Sequence, residues 1–569
     1  MFIQIKSLIF KNFLKKNLVN FLIVSIFFFF TNLVELFGLY LIPPVAYFII
    51  GEKSELINFS FLNNFNIDPI NIVYLFFFIN IFKLIFSIFS YWFQYYKIYQ
   101  IQNQLSISLL NRQFKSSFLT WNTKSNSNLI QMMINETDKF CNSFLMSLIT
   151  LFSELFFIII LIFLLIFFYG LKILFLIIFL SLIILIYYKI IIKNFLEKVG
   201  ISRLRNDKRR IKVLNDIILS FKEIKIFLKQ NSFIKYFEKY NLDYIKTLTV
   251  LGTFSQLPRI VLESLVVIIF GFLILFLNND NDLKLIIPHL AFTLGILFRL
   301  MPSINRIITS FQNIEFSKPS FENIDKLFFD LEIENSASSK KQNYSNFKRL
   351  DFKKISFSYD NNHVIDEVNL TLEKGKIYGI KGESGSGKST FLNILCGLIK
   401  PQGGKIYVDK KFLEFNNDNW LSNIAYVSQN SLLLNDTFLN NITFEYNSKN
   451  IDEKKFEFSI KKSKIKELIN SLENGRDTII GDRGAFISSG QSQRINIARV
   501  LYSNRELLIF DEATNALDKN IEKEIFQNIK DLNITNKNKK LIIIVSHKSE
   551  NLKFCDDVLE VKDKKIVKI

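Results

Sequence analysis

The chain has 569 residues, of which 49% are hydrophobic and 22% charged, with a formal charge of +19 and a mean hydropathy of +0.22. A positive mean hydropathy beside so much charge excludes a single soluble globule and asks for two parts in different solvents, one in lipid and one in water. The length allows two to four domains.

The N-terminal stretch MFIQIKSLIFKNFLKKN is basic and amphipathic, and no short apolar core with a small-residue cleavage site follows it, so a removable secretory signal is not expected. A membrane helix needs roughly 20 consecutive apolar residues to cross about 30 Å of hydrocarbon. That window predicts six spans, at 17–50, 72–98, 145–169, 171–193, 253–278 and 285–312. The first carries Pro43-Pro44, where it should kink or end. The connections 99–144 and 194–252 are polar, helical in periodicity and poor in Gly and Pro, so the helices flanking them should continue out of the membrane and bring their turning points to the soluble half.

Basic residues are distributed as topology requires. Lys6, Lys11, Lys15 and Lys16 crowd the N-terminus, and Arg203, Arg205, Lys208, Arg209, Arg210 and Lys212 the second long connection. The opposite connections hold little beyond Lys53, Lys172 and Lys284. The positive-inside rule then puts the N-terminus and the C-terminal half in the cytoplasm, with the spans in the inner membrane. Because the positive charge lies beside the membrane, lipid headgroups account for it and nucleic acid is not expected as a partner. Cys141, Cys396 and Cys555, like His289, His363 and His547, are too scattered for a disulfide framework or a zinc site.

Ionisable residues inside the hydrocarbon cost about 2.5–3.5 kcal/mol each on insertion scales and so mark function. Lys83 falls in the second span, Arg259 and Glu263 in the fifth, Arg299 and Arg306 in the sixth. The four cations are expected to face a common cavity, where their chemistry suits phosphate or pyrophosphate.

The segment ENSASSKKQNYSN (334–346) is small and polar and reads as a linker. The expected domains are 1–330 in the membrane, a linker at 331–346 and a soluble domain at 347–569. From 347 onward short apolar runs alternate with helical stretches, the pattern of an α/β fold. KIYGIKGESGSGKSTFLNILCGL (376–398) is strand, loop and helix, and its Gly382 to Ser389 fits the GxxxxGK[ST] phosphate-binding loop. Backbone N–H groups of Gly382, Glu383, Ser384, Gly385, Ser386, Gly387 and Thr390 can converge on phosphates at the helix start. Lys388 supplies a point charge and Ser389 a hydroxyl for Mg²⁺. LLIFDE (507–512) is an apolar strand ending in two carboxylates, with Asp511 suited to the Mg²⁺ shell and Glu512 to polarising the attacking water.

With these elements in this order, the chain resembles the ATP-binding cassette (ABC) transporter family. Tyr359 in FSYD is similar to the aromatic residue that stacks on adenine. Gln429 in YVSQN is similar to the glutamine that senses Mg²⁺ and contacts the membrane domain. ISSGQ (487–491), with Ser488, Gly490 and Gln491, resembles the signature loop that reaches a partner's γ-phosphate. Asn515-Ala516-Leu517-Asp518 resembles the loop between cassettes, and His547 in IIIVSHK the switch histidine. The resemblance implies a six-helix membrane domain fused to an α/β P-loop cassette, with ATP and Mg²⁺ as cofactors. It implies Glu512, His547 and Gln429 as catalytic residues and Ser389, Gln429 and Asp511 around the metal. It further implies a dimer with an identical chain or a related half-transporter. Ser489, where the family has its first glycine, is a departure that puts the rate of closure in doubt while sparing the Ser488 and Gly490 donors.

Fusion of membrane domain and cassette in one chain resembles exporters. LPRIVLE (257–263) and FRLMPSINRIITS (298–310) resemble bacterial lipid-linked oligosaccharide flippases, in which arginines of these helices contact the lipid pyrophosphate. The implied cargo is a polyprenyl-pyrophosphate-linked glycan or a surface-polysaccharide intermediate. The alternative is a general lipid, drug or peptide exporter, and the altered signature loop leaves room for a gated channel or regulator.

Overall fold

The computed structural model describes residues 15–42, 44–45, 69–123, 126–169, 193–277, 283–335, 343–360, 362–429, 432–445, 451–481, 484, 486–535 and 539–569. The chain divides into two compact units. The first is Met1–Ser116 with Asn122–Glu334, and the second is Asn335–Ile569 together with the short segment Ser117–Trp121.

The first unit is built from long helices. α1 (Lys15–Tyr40) is interrupted just before the Pro43-Pro44 pair, as a missing N–H and a fixed φ dictate, and helical bonding resumes with the Val45 N–H on the Leu41 carbonyl. α2 (Pro69–Lys115) has 47 residues, some 70 Å of helix at about 1.5 Å per residue. It therefore runs well past the predicted span at 72–98. The third predicted span lies in α3 (Met146–Tyr169), entered through two π-helical segments, Gln131–Glu136 and Phe140–Leu145. The fourth predicted span, 171–193, lies almost wholly outside the described residues. α4 (Lys193–Leu219), α5 (Gln230–Leu277) and α6 (Leu283–Asn335) complete the unit. Among the described residues, three helical stretches are long and apolar enough to cross a membrane: Val19–Tyr40, Ile70–Lys115 and Asn128–Phe163.

Where the helices leave the apolar stretches they are joined by polar residues that burial makes obligatory pairs. Arg203 on α4 and Glu136 are each about 1% exposed and meet at 3.0 Å, and Arg203 also donates to Ser320 Oγ at 2.7 Å. A buried guanidinium is tolerable only with such partners. Beside them, an ideal Cβ on Gly200 would overlap the Phe316 carbonyl, so α4 and α6 approach at a distance only glycine permits.

The second unit holds two sheets. β1 (Arg349–Tyr359), β2 (Asn362–Glu373), β4 (Gly403–Val408) and β5 (Lys411–Phe412) form an antiparallel sheet in the order β2-β1-β4-β5. β3 (Ile377–Gly382), β6 (Ile424–Val427), β7 (Leu507–Asp511), β8 (Leu541–Val545), β9 (Asp557–Lys562) and β10 (Lys565–Lys568) form the other, in the order β10-β9-β3-β8-β7-β6. Its inner pairings are parallel and only β9-β10 is antiparallel.

Side chains alternate along a strand, so the unbroken apolar runs LLIF and LIIIV supply two faces at once. Leu507, Ile509, Leu541, Ile543 and Val545 enter one core with Phe391, Leu392 and Leu395 of α7 (Lys388–Leu395). Leu508, Phe510, Ile542 and Ile544 enter the other with Ile497 and Val500 of α8 (Ser489–Ser503) and Ile525, Phe526 and Ile529 of α9 (Lys519–Thr535). Phe118 and Leu119, in the short segment that groups with this unit, pack against the first of these cores. A separate helical cluster around Phe438, Ile442, Phe456 and Ile460 carries the stretch that leads into α8.

Glu136→Ala should destabilise the first unit by about 3–5 kcal/mol, because Arg203 stays buried without its carboxylate. Thermal unfolding of the detergent-purified chain reads this out, and Glu136→Gln should lose less.

Candidate functional site

The parallel strands deliver their chemistry at one edge. β3 ends at Gly382, the loop 383–387 follows, and the helix Lys388–Leu395 begins. Gly387 caps that helix with φ +105°, in the region that favours glycine, and a Cβ there would lie 2.9 Å from Val364 Cγ1. Lys388 is buried, and its ammonium donates to the carbonyls of Gly382 and Glu383 at 2.8 Å each, folding back over the loop. Ser386 Oγ is buried with no hydrogen-bond partner, a polar group left for an incoming oxygen. Ser384 and Ser389 are exposed, and Thr390 is buried behind them.

β7 ends at Asp511, whose carboxylate accepts a hydrogen bond from the Tyr426 hydroxyl at 2.7 Å. Burial pushes the Asp511 carboxyl above the ordinary carboxylate range, with the Tyr426 bond and the Lys388 charge opposing that rise. The next residue, Glu512, takes a left-handed backbone conformation, φ 49°, with its N–H bonded to the Val545 carbonyl. Three side chains converge on its carboxylate. Gln429 Nε2 donates at 3.0 Å, Asn515 Nδ2 at 2.8 Å, and His547 Nε2 lies 3.1 Å away. A left-handed backbone at this point and three partners around one carboxylate hold Glu512 in one orientation.

His547 is itself held on both sides. Ser546 Oγ accepts from the Lys548 N–H and from Asn551 Nδ2 at 3.1 Å each. Asn551 also donates to Glu522 at 2.9 Å, and the Lys548 ammonium pairs with the same buried carboxylate at 3.0 Å. Glu522 lies in the first turn of α9, directly after Asn515–Asp518, so that loop and the histidine share one anchor.

Residues expected around Mg²⁺ suit a hard cation. Asp511 offers a carboxylate, Ser389 a hydroxyl, and Gln429 the amide oxygen that remains when its nitrogen serves Glu512. Among the described residues no cluster of three His, Cys, Asp or Glu could hold a metal ion.

Tyr359 is 40% exposed at the tip of the β1-β2 hairpin, edge-on to Phe357 at 4.9 Å between ring centres. The signature residues begin α8. Ser488 caps α8, accepting from the Gln491 N–H at 3.2 Å while Gln491 Oε1 accepts from the Ser488 N–H at 3.0 Å. This capping box leaves Ser488 and Ser489 exposed. Gly490 is indispensable on geometry, since a Cβ there would come within 2.8 Å of the Ala516 carbonyl. Ser489, one residue earlier, points its side chain at open solvent and disturbs nothing inside the unit.

In the first unit, Lys83, Arg299 and Arg306 line one cavity of about 190 Å³ together with Glu35, Glu154 and Asn32. Arg259 does not join them. It is 64% exposed on α5 and satisfied by Glu263 one turn on, at 2.7 Å. The two cavity carboxylates, Tyr426 and Glu522 are the residues that sequence reading missed. Glu35, Glu154 and Glu522 belong to no local motif, whereas Glu263 stands at i,i+4 from Arg259.

Two family models match the chain: the ABC transporter transmembrane region over residues 21–301 and ABC transporter over residues 365–515. The chain is similar to an ATP-dependent lipid A-core flippase of Pectobacterium atrosepticum, with 32% identity over 49% of this chain and 48% of that protein. It is also similar to the alpha-hemolysin translocation ATP-binding protein HlyB of Escherichia coli, with 34% identity over 38% of this chain and 30% of that one. The chain thus spans about half the length, or less, of the curated relatives it matches. A solved structure of a bacterial Atm1-family ABC exporter with ATP bound superposes with a TM-score of 0.79 over 98% of this chain and 95% of that one, at 18% identity, a likeness of fold.

Tyr426→Phe should raise the Mg²⁺ concentration for half-maximal ATP hydrolysis about tenfold, because a hydrogen bond to a charged group is worth about 1.5–3 kcal/mol. A Mg²⁺ titration of the purified protein checks it.

Proposed function

The chain belongs to the ABC transporter family, and from that premise we propose that two copies close around ATP, hydrolyse it, and use the cycle to export a phosphate-linked amphipathic lipid. The observation that carries the hydrolytic half is the convergence of Gln429, Asn515 and His547 on Glu512, beside the phosphate loop. Glu512 accepts the proton of the attacking water. His547, anchored through Ser546, Lys548 and Glu522, holds that carboxylate and meets the γ-phosphate. Lys388 exchanges its two carbonyl partners for phosphate oxygens, and Ser386 Oγ gains the partner it lacks. Mg²⁺, held by Ser389, Asp511 and the Gln429 amide oxygen, would neutralise charge on the β- and γ-phosphates. Ser488 is exposed at the start of α8 and Gly490 follows it, matching the signature loop that reaches a partner's γ-phosphate, and a second copy would supply that phosphate.

The cargo reading rests on Lys83, Arg299 and Arg306 lining one cavity of the membrane unit. Cations in such a place favour an anionic headgroup, and a polyprenyl-pyrophosphate-linked glycan fits both the charge and the amphipathic setting. The similarity to a lipid A-core flippase, whose name denotes a lipid cargo, supports the same class. Arg259, on the exposed face, is left out of this site. The membrane unit would span the inner membrane with the cassette on the cytoplasmic side, where ATP is.

Glu512→Gln should abolish ATP turnover, by at least a hundredfold, while nucleotide binding persists. Arg299→Ala should abolish stimulation of the ATPase by a polyprenyl pyrophosphate lipid. ATPase assays in proteoliposomes test both. Stimulation by neutral hydrophobic compounds, with indifference to the pyrophosphate, would favour a general lipid or drug exporter instead.

A further inference from the structure

The charges of the cavity alternate in sign along one path. Lys83 meets Glu35 at 2.5 Å, and Glu35 meets Arg299 at 2.6 Å. Arg299 lies 4.0 Å from Glu154, and Glu154 meets Arg306 at 2.6 Å. The five residues come from four helices: Glu35 from α1, Lys83 from α2, Glu154 from α3, and both arginines from α6. Exposure rises toward the ends of the row. Lys83 and Arg306 are 34% and 33% exposed, whereas Glu35, Arg299 and Glu154 are 17%, 10% and 7%. Glu154 Oε2 is buried with no hydrogen-bond partner.

The buried pair Arg203–Glu136 shows what a purely structural ion pair looks like in the same unit. Both members are about 1% exposed, with two contacts between them and Ser320 as a third partner. The cavity row is built otherwise. Its outermost cations, Lys83 and Arg306, keep about a third of their side-chain surface open. Three cations against two carboxylates leave a single positive charge.

We propose that Glu35 and Glu154 are resident counter-ions, which a phosphate-bearing headgroup displaces from Lys83, Arg299 and Arg306. The inference rests on reading the cavity as the seat of a phosphate-linked lipid, and adds how that seat is tuned. A phosphate carries more charge and more acceptor oxygens than a carboxylate, so the exchange favours the ligand. The ligand gains only the difference between the two partners, which keeps binding moderate and release attainable, as a carrier needs. The same exchange unties α1 from α2 and α6, and α3 from α6. An equilibrium between helix arrangements shifts only as far as the ligand's differential affinity for them, and this exchange supplies such a difference.

The test uses the full-length chain in lipid nanodiscs. The probes are polyprenyl pyrophosphate, polyprenyl monophosphate, the neutral polyprenol and inorganic pyrophosphate. Glu35→Gln and Glu154→Gln keep shape and remove charge. Each should tighten binding of the pyrophosphate lipid about tenfold, raise ligand-free ATP turnover, and shrink the fold-stimulation by ligand. Wild-type or weaker affinity in both variants would overturn the proposal. Should a Gln variant fail to fold, Glu35→Asp and Glu154→Asp replace it: the shorter carboxylate withdraws from its cation, so affinity should rise about threefold, and no rise counts against the proposal. A wild-type protein indifferent to both phosphorylated lipids would sink the cargo reading itself. Binding of inorganic pyrophosphate as tightly as the lipid would move the site from a lipid headgroup to a free anion. Wild-type binding of the lipid with unaltered variants would remove only the role given to the two glutamates.

Discussion

The cassette depends on three parallel strands, β3, β7 and β8, ending at one edge with their charged residues in register. Asp511 stands opposite Val545, and the residues that follow each strand are Glu512 on one side and Ser546-His547 on the other. The strands can bring these groups together because they are buried on both faces, so the sheet tolerates no slip in register. A shift of one residue would turn Leu508 and Phe510 out of their core and carry Glu512 away from Gln429 and His547. The left-handed φ at Glu512 is stored strain of about 1–3 kcal/mol, and the cores on either side of the sheet offset it.

Much of the cassette was legible in the sequence because its chemistry is local. A phosphate loop is a strand, a glycine turn and a helix start within one short run, and nothing distant is needed to read it. The same holds for the carboxylates after LLIF and the histidine after LIIIV. What the sequence could not show is how these runs support one another. Tyr426 reaches Asp511 across 85 positions of sequence, and Lys548 and Asn551 reach Glu522 across 26 and 29. The departure at Ser489 reads differently in three dimensions, as an exposed first-turn residue, whereas Gly490 is locked against the Ala516 carbonyl.

In the membrane unit the long helices followed from polar stretches with helical period and few breakers, and the end of α1 from its proline pair. The π-helical turns before α3 had no sequence signal. The balance of charge around the cations was not legible in the sequence. Lys83, Arg299 and Arg306 do line one cavity, yet Glu35 and Glu154, distant in sequence, neutralise most of their charge. Arg259 was grouped with them on span alone, and its own helix holds the reason it stays apart, since Glu263 lies one turn away on the exposed face. Ionisable residues in apolar helices are costly enough that each finds a partner, so cations should be sought together with the carboxylates that answer them.

A second copy is proposed to complete the site, with the signature loop of one chain over the phosphates of the other. The chain's own Cys141 and Cys396 are buried and Cys555 is half-buried, so the engineered thiols are placed in a chain carrying Cys555→Ser. The decisive measurement is oxidative cross-linking of a chain carrying Ser384→Cys mixed with a chain carrying Ser488→Cys, both with Glu512→Gln. Covalent dimers should form with ATP and Mg²⁺ and not without them. Cross-linking indifferent to nucleotide, or none under any condition while ATP is bound, would contradict that proposal.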